Sequence, residues 1–194
     1  MFANRFTAFV DACVLASALK RNLILSLAEA ELYRVRWSPR VIEETEQAIE
    51  RMLIDRGVPD AKERAGRACA AMTRAFDDAM VEKYEAVQRG LLALPDPGDA
   101  HVLAAAVKTR ADVIVTDNLK DFPAELLEPY GIEPKSGDDF IADAIDLHRD
   151  TALLAIERMR LRFRRPPKSP QQLAAALRHE GMVQTAELIE SSGL

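Results

Sequence analysis

The segment ADVIVT at residues 111–116, which runs directly into Asp117, decides the fold. It is a continuous run of mainly β-branched residues, a pattern typical of a strand that is buried on both faces of a sheet. A second run, FTAFV at residues 6–10, leads into Asp11 in the same way. Helical spacing of apolar residues fills the chain between the two runs. Alternating helices and buried strands predict an α/β fold with a parallel sheet.

Apolar periodicity and punctuation residues predict the remaining elements. Ser38 and Pro39 open one helix as its N-cap and first helical residue, and residues 80–87 are interpreted as a short strand. Pro134 limits the run at 131–134 to an edge strand, because proline cannot continue a central ladder. The predicted helices are 13–32 with a break near 20–22, 39 to the stop at Gly57, 60–76, 99–109, 138–147, 150–163, 170–180 and 181–190.

The pattern changes near residue 136. Before this point helices alternate with short strands, whereas from about residue 137 onward the pattern is wholly helical and is interrupted only by a proline-rich break. We therefore predict two domains, an α/β domain over residues 1–136 and an all-helical C-terminal extension over residues 137–194.

Composition and charge narrow the functional classes. The chain has 194 residues, of which 48% are apolar and 29% charged, and its net charge is −5. This charge argues against a protein whose whole surface wraps nucleic acid, but it allows an acidic site beside a separate basic patch. Both cysteines, Cys13 and Cys69, are interpreted as reduced core residues. No stretch approaches the roughly 20 apolar residues of a membrane helix, so we expect a cytoplasmic protein.

Acidic residues lie where a parallel sheet binds its ligands. Ligands of such sheets bind outside the carboxyl ends of the strands, and Asp11 and Asp117 follow the two predicted strands directly. Asp99 opens the helix that precedes the second strand, after the turn signal PDPG at residues 95–98. Each acid alone could cap a helix or start a turn. Because like charges repel when they are brought close, the three together indicate a cation site.

The helix that begins at Pro39 offers a further carboxylate. At about 100° per residue, Glu44 and Glu46 lie at opposite borders of its apolar stripe, so either could turn toward a site beside the core. A solvated acidic helix face is the alternative interpretation. The spacing of the apolar residues alone does not distinguish a site residue at Glu44 or Glu46 from a solvated acidic face.

Several segments together resemble a known family. The segments are FVDACVL (9–15), WSP (37–39), IEE (42–44), DPGDAHVLAAA (96–106) and VIVTDNLKDFP (113–123). They resemble the PIN-domain ribonucleases, and more narrowly the VapC-type toxins of bacterial toxin–antitoxin pairs that carry a helical C-terminal extension. The segments 96–106 and 113–123 are the most specific part of this resemblance.

The resemblance implies a doubly wound α/β/α core and a catalytic cluster of acids that binds Mg²⁺ or Mn²⁺. Hard oxygen ligands and only three scattered histidines also favour these ions over zinc. The first acid of the family falls on Asp11, the helical Glu on Glu44 and the third acid on Asp99. The fourth is Asp121, supported by Asn118, with Asp117 as the alternative metal ligand. Thr45 stands where the family leads us to expect a bulky aromatic residue.

The resemblance also implies a function and partners. The function is metal-dependent endoribonuclease activity in which water is the nucleophile, so that the products carry a 5′-phosphate and a 3′-hydroxyl. The partners are RNA, a cognate antitoxin, operator DNA reached only through the antitoxin, and a second copy of the chain in a homodimer. A catalytically silent regulator with the same fold is the alternative.

A basic block lies in the helical extension, opposed in sequence only by Glu157. As a strip of positive charge it could bind RNA, with Arg158, Arg162 and Arg165 as the predicted substrate contacts. A solubilising face or a docking surface for an acidic partner is the alternative. The block consists of Arg158, Arg160, Arg162, Arg164, Arg165 and Lys168.

Overall fold

A computed structural model describes residues 6–91, 93–163 and 167–192. Four short strands, eleven α-helices and three 3₁₀ helices are formed within these ranges. The strands are β1 (Thr7–Val10), β2 (Arg34–Arg36), β3 (Val113–Val115) and β4 (Glu133–Lys135). The helices are α1 (Ala12–Ala16), α2 (Ala18–Glu29), α3 (Pro39–Asp55), α4 (Ala61–Ala75), α5 (Glu85–Gln88), α6 (Ala100–Thr109), α7 (Ala124–Leu127), α8 (Gly137–Leu147), α9 (Arg149–Leu161), α10 (Pro170–His179) and α11 (Val183–Ser191).

The first of two compact units contains the sheet. It comprises the chain up to Ser17 together with Arg34–Lys135. The strand order is β2-β1-β3-β4, and every neighbouring pair is parallel. Strands β1 and β3 are buried along their whole length and lie at the centre, whereas β4 with Pro134 forms an edge. The predicted parallel α/β core and its proline-containing edge strand are therefore confirmed.

Local sequence explains where α3 begins and how it packs in this unit. The Ser38 hydroxyl accepts a hydrogen bond from the Val41 amide, and Pro39 occupies the first turn, as predicted. Ile49 of α3 packs against Ala65 and Cys69 of α4. Thr45 is fully buried and donates its hydroxyl to the Val41 carbonyl at 2.7 Å. The helix therefore accommodates a small polar residue where the resemblance suggests an aromatic one.

The structure corrects two predictions about local elements and contains one strand that was not predicted. The interpretation of residues 80–87 as a strand is wrong: Met80 forms only an isolated bridge to Trp37, and Lys83 has a left-handed φ of 56° that ends extended backbone. The helix break expected near 20–22 falls at Ser17 instead, where ψ is 124°. Strand β2, Arg34–Arg36, was not predicted, because its single apolar residue gives no run to detect.

The second unit is wholly helical. It comprises Ala18–Tyr33 together with the chain from Ser136 onward, so that α2 belongs with α8 to α11. The Tyr33 ring packs edge-on against Phe140 with ring centroids 4.7 Å apart, and its hydroxyl donates to the Ile24 carbonyl. The four helices predicted beyond residue 137 are all present. The grouping of α2 with them was not predicted, and the proposed domain boundary at residue 136 stays a prediction.

The hydropathy of the helices gives one further observation. Among the residues that the structure describes, no helix combines the length and the apolar character that a membrane span requires.

Candidate metal centre

The carboxyl ends of β1 and β3 meet through Asp11 and Thr116. Asp11 follows β1, is 8% exposed, and accepts the Ala12 amide on Oδ1 at the start of α1. Its Oδ2 accepts a hydrogen bond from the Thr116 hydroxyl at 2.8 Å. The Thr116 hydroxyl in turn accepts the Asn118 amide at 3.1 Å. Asp11 therefore lies at the carboxyl edge of the sheet and is joined directly to the end of β3. That Asp11 is a metal ligand stays a prediction.

A tight turn before α6 presents two more carboxylates. Asp96 accepts the Gly98 amide on Oδ1 at 2.7 Å, and Pro97–Asp99 form a single 3₁₀ turn. A Cβ atom at Gly98 would lie 2.9 Å from Asp96 Oδ1, so any other residue there would displace this carboxylate. Asp99 occupies the cap position of α6, but its side chain makes no capping hydrogen bond.

Three aspartates come close enough to share one ion. Asp96, Asp99 and Asp121 each offer a carboxylate oxygen, and these oxygens lie within 4.8 Å of one another. Asp121 is oriented by Asn118, whose side-chain amide donates to its Oδ2. Asp99 Oδ2 is buried and has no hydrogen-bond partner within the described ranges. A buried carboxylate oxygen without a donor is costly, and a set of hard oxygen ligands fits a divalent cation.

The electrostatics of Asp99 show how many acids converge. Burial has the largest effect on the pKa of Asp99, followed by the negative charges of Asp11, Asp96, Asp121 and Glu44, and together they raise it from 3.8 to about 6. The charges of Asp11, Glu44 and Asp121, which were predicted for the site, and of Asp96, which was not, therefore act on Asp99. A cation among these groups would relieve their mutual repulsion.

Glu44 and Glu46 are distinguished by their neighbours. Glu44 Oε1 accepts a hydrogen bond from Arg40 Nε at 3.0 Å and lies 3.2 Å from His101 Nε2. Burial raises the pKa of Glu44, the Arg40 hydrogen bond opposes this shift, and Asp11 adds to it. Glu46 Oε1 instead lies 3.4 Å from the position of a Cβ at Gly66, so Glu46 faces α4. Glu44 is the one beside the acids.

Arg40 and His101 form a support that the sequence did not reveal. Arg40 also donates to the Gly98 carbonyl at 3.3 Å, so it joins α3 to the turn that carries Asp96 and Asp99. His101 is 1% exposed, and burial, together with the charge of Arg40, lowers its pKa to about 4. His101 is therefore neutral near pH 7. The only sequence signal for Arg40 was its helical i, i+4 spacing to Glu44.

Asp117 and Cys13 lie at the rim of the site. Asp117 is exposed, and its backbone amide donates to Cys13 Sγ at 3.3 Å. Of the two alternatives for the fourth acid, Asp121 is the one that falls within the aspartate triad. Cys13 is exposed, so its assignment to the core was wrong, whereas the buried position of Cys69 is confirmed. The Cys13 thiol donates to Asp11 Oδ2 at 3.0 Å.

Asp96 is the triad member that sequence reasoning missed, since it was interpreted only as part of a turn signal. Asp96→Asn tests its role, because asparagine keeps the carbonyl oxygen that accepts the Gly98 amide but removes the negative charge. We expect Mn²⁺ affinity to fall at least roughly tenfold with an unchanged melting temperature in EDTA. Isothermal titration calorimetry measures the affinity, with the exposed Asp77→Asn as control. Equal affinities for both variants would show that Asp96 only shapes the turn.

The predicted basic block is only partly free to bind a ligand. Arg160 is ion-paired with Glu157 and donates to the Lys168 carbonyl. Arg162 is ion-paired at 2.9 Å with Glu29, an acid that lies far from the block in sequence. Arg158 is exposed. Arg164 and Arg165 lie outside the described residues.

Comparison with known proteins gives matches along most of the chain. Residues 7–120 match the family described as PIN domain, and residues 137–191 match the VapC50 C-terminal domain. The chain is 47% identical over 79 residues to the "Putative ribonuclease VapC50" of Mycobacterium tuberculosis (strain ATCC 25618 / H37Rv). This alignment covers 41% of the chain and 47% of the relative, so it spans about half of the relative's length. No solved structure matches the chain.

Proposed function

Because the chain belongs to the PIN-domain family and carries a VapC50 C-terminal domain, we propose that it is a metal-dependent endoribonuclease. The observation that carries the proposal is the aspartate triad, in which Asp99 Oδ2 is buried without a donor among the described residues. The name of the mycobacterial relative supports the same activity.

The donor set favours a hard divalent cation. Asp96, Asp99 and Asp121 would hold Mg²⁺ or Mn²⁺ through carboxylate oxygens, and Asp11 is proposed as a further ligand beside them. When bound, such an ion lowers the pKa of a water molecule and neutralises charge that develops on a phosphate. Thr116 and the Ala12 amide hold the Asp11 carboxylate in one orientation. Asn118 does the same for Asp121.

Glu44 is proposed to orient the attacking water. Arg40 and His101 both approach its Oε1, which leaves Oε2 to accept a hydrogen bond from water. The raised pKa of Glu44 brings this carboxylate closer to the range of a useful general base. Since water and not the ribose hydroxyl attacks, cleavage leaves a 5′-phosphate and a 3′-hydroxyl.

We also propose that the ribonuclease is the toxin of a toxin–antitoxin pair. The resemblance to VapC-type toxins supports this role, and the acidic site is complementary to an arginine inserted by an antitoxin. Under this proposal operator DNA is bound only through the antitoxin, and the toxin itself forms a homodimer.

The test of ribonuclease activity uses the full chain with end-labelled single-stranded RNA. We expect cleavage with Mn²⁺ or Mg²⁺ and none in EDTA, and the products should carry 5′-phosphates. The melting temperature should rise with Mn²⁺, because an ion at about 100 times its dissociation constant stabilises the native state by about 2.7 kcal/mol. If Mn²⁺ raises the melting temperature but no RNA is cut, the chain is a silent regulator. If neither effect occurs, the metal site itself is wrong.

A further inference from the structure

The helical unit contains a small pocket that the proposed active site does not use. Its volume is about 130 Å³, and small side chains leave room at its walls. The lining residues are Ser26, Glu29, Ala30, Ala155, Arg158 and Arg162. All six lie on or directly after α2 and α9, within one compact unit.

Ser26 provides a buried polar group in this pocket. Its side chain is on α2, in the middle of an otherwise apolar buried face, and the residue is only 7% exposed. Ser26 also lines the pocket. A serine hydroxyl at the wall of a pocket can donate a hydrogen bond to a ligand that enters it.

The charges around the pocket favour one anionic group. Glu29 and Arg162 form an ion pair at 2.9 Å with both side chains exposed, so their charges cancel. Arg158 is exposed and makes no ion pair with any described residue, and it leaves the pocket with one uncompensated positive charge. An arginine fork can donate two hydrogen bonds to one oxyanion. The pocket thus presents one positive charge and a separate hydroxyl donor.

We propose that this pocket binds one phosphodiester group of the RNA, an inference that rests on the proposed action of the chain on RNA. The Arg158 guanidinium binds the non-bridging oxygens, and the Ser26 hydroxyl donates to the phosphate from a second direction. The oxygens of a tetrahedral phosphate accept hydrogen bonds from several directions. The two oxygens of a planar carboxylate are already hydrogen-bonded when one arginine guanidinium donates to both. This geometry favours a phosphate over the carboxylate of a protein partner.

RNA binding without cleavage tests the pocket. Fluorescence anisotropy with labelled single-stranded RNA is measured on the full chain in EDTA, at KCl concentrations from about 50 to 200 mM. Arg158→Gln should weaken binding about tenfold at the lowest salt and make the slope of log K against log salt shallower by about 0.7. Ser26→Ala should weaken binding about threefold without changing this slope, because it removes a hydrogen bond but no charge.

Arg149→Gln is the matched control. Arg149 is an exposed arginine on the same helix, nine residues before Arg158, and about 3.6 residues per turn place the two on opposite faces of α9. RNA affinity of this variant should equal that of the wild type. The pocket proposal is overturned if Arg158→Gln binds RNA like the wild type, or if both arginine variants lose affinity equally. If the wild type cuts RNA with Mn²⁺ in either case, the proposed function survives while the pocket proposal fails. A wild type that neither binds nor cuts RNA overturns both.

Discussion

Asp99→Asn is expected to lower the rate of RNA cleavage with Mn²⁺ by roughly a thousandfold, a loss typical of removing a group that stabilises transition-state charge. Asp99 is the centre of the acidic cluster, and its unpartnered Oδ2 is buried within the part of the chain that the structure describes. Asparagine keeps the size of the side chain but cannot supply the charge that an ion requires. Single-turnover cleavage of labelled RNA measures the effect. Asp117→Asn serves as the control and should cleave at close to the wild-type rate.

The same variant should change the pH dependence of stability in EDTA. Burial, and after it repulsion by the neighbouring acids, raises the pKa of Asp99 in the native state from 3.8 to about 6. The stability that proton binding at Asp99 contributes is therefore fully present below about pH 3.8 and is lost as the pH rises through about 6. The Asn variant does not lose this stability. Its melting temperature should therefore be higher than that of the wild type near pH 7 and close to it near pH 4. Equal melting temperatures at pH 7, together with undiminished cleavage, would show that Asp99 is not at a metal site.

Thr116→Val is the second variant from which we expect a large effect. Valine has nearly the same shape but leaves Asp11 Oδ2 without its hydroxyl donor and the Asn118 amide without its acceptor. Thr116 is fully buried, so the lost hydrogen bonds should lower the free energy of unfolding by about 1–3 kcal/mol. The cleavage rate should fall at least roughly tenfold, because Asp11 and the loop before Asp121 are no longer held. Urea unfolding and single-turnover cleavage measure the two effects.

Thr116→Ser separates the hydroxyl from the packing. Serine keeps both hydrogen bonds and loses only a methyl group, so cleavage should stay near the wild-type rate even though stability falls by about 1 kcal/mol. A serine variant as inactive as the valine variant would assign the effect to packing. A valine variant with wild-type cleavage would show that Asp11 is oriented by other contacts.

The sequence predicts the centre of the sheet better than its margins. Strand β3 is buried on both faces and therefore appears as an unbroken β-branched run. Strand β2 is Arg-Val-Arg and forms mainly because its backbone pairs with β1, which no local pattern encodes. The grouping of α2 with the C-terminal helices depends on packing between distant segments, such as Tyr33 against Phe140, and periodicity does not identify a partner.

In the candidate site, too, some residues could be predicted from the local sequence, whereas others depend on contacts with residues that are distant in sequence. Asp11 could be predicted because it directly follows a buried strand. Asp99 could be predicted because it opens α6, the helix that leads into β3. Periodicity left Glu44 and Glu46 equivalent, because each lies at a border of the same stripe. The contacts that distinguish them come from His101 and Gly66, which are distant in sequence. Asp96 was missed because aspartate, proline and glycine are all common in turns. The Asp-Pro-Gly sequence therefore gave no separate indication that Asp96 binds a metal.

The start of α6 has a consequence for adaptation. Asp99 occupies a position where an acid ordinarily stabilises the helix, yet its side chain forgoes that bond and lies among other negative charges. Most proteins lie just above the stability they need, and substitutions that stabilise them are easily found. Selection for heat resistance alone would therefore favour neutral replacements at this helix start and erode the activity, so a thermostable descendant that keeps its function must gain its extra stability elsewhere.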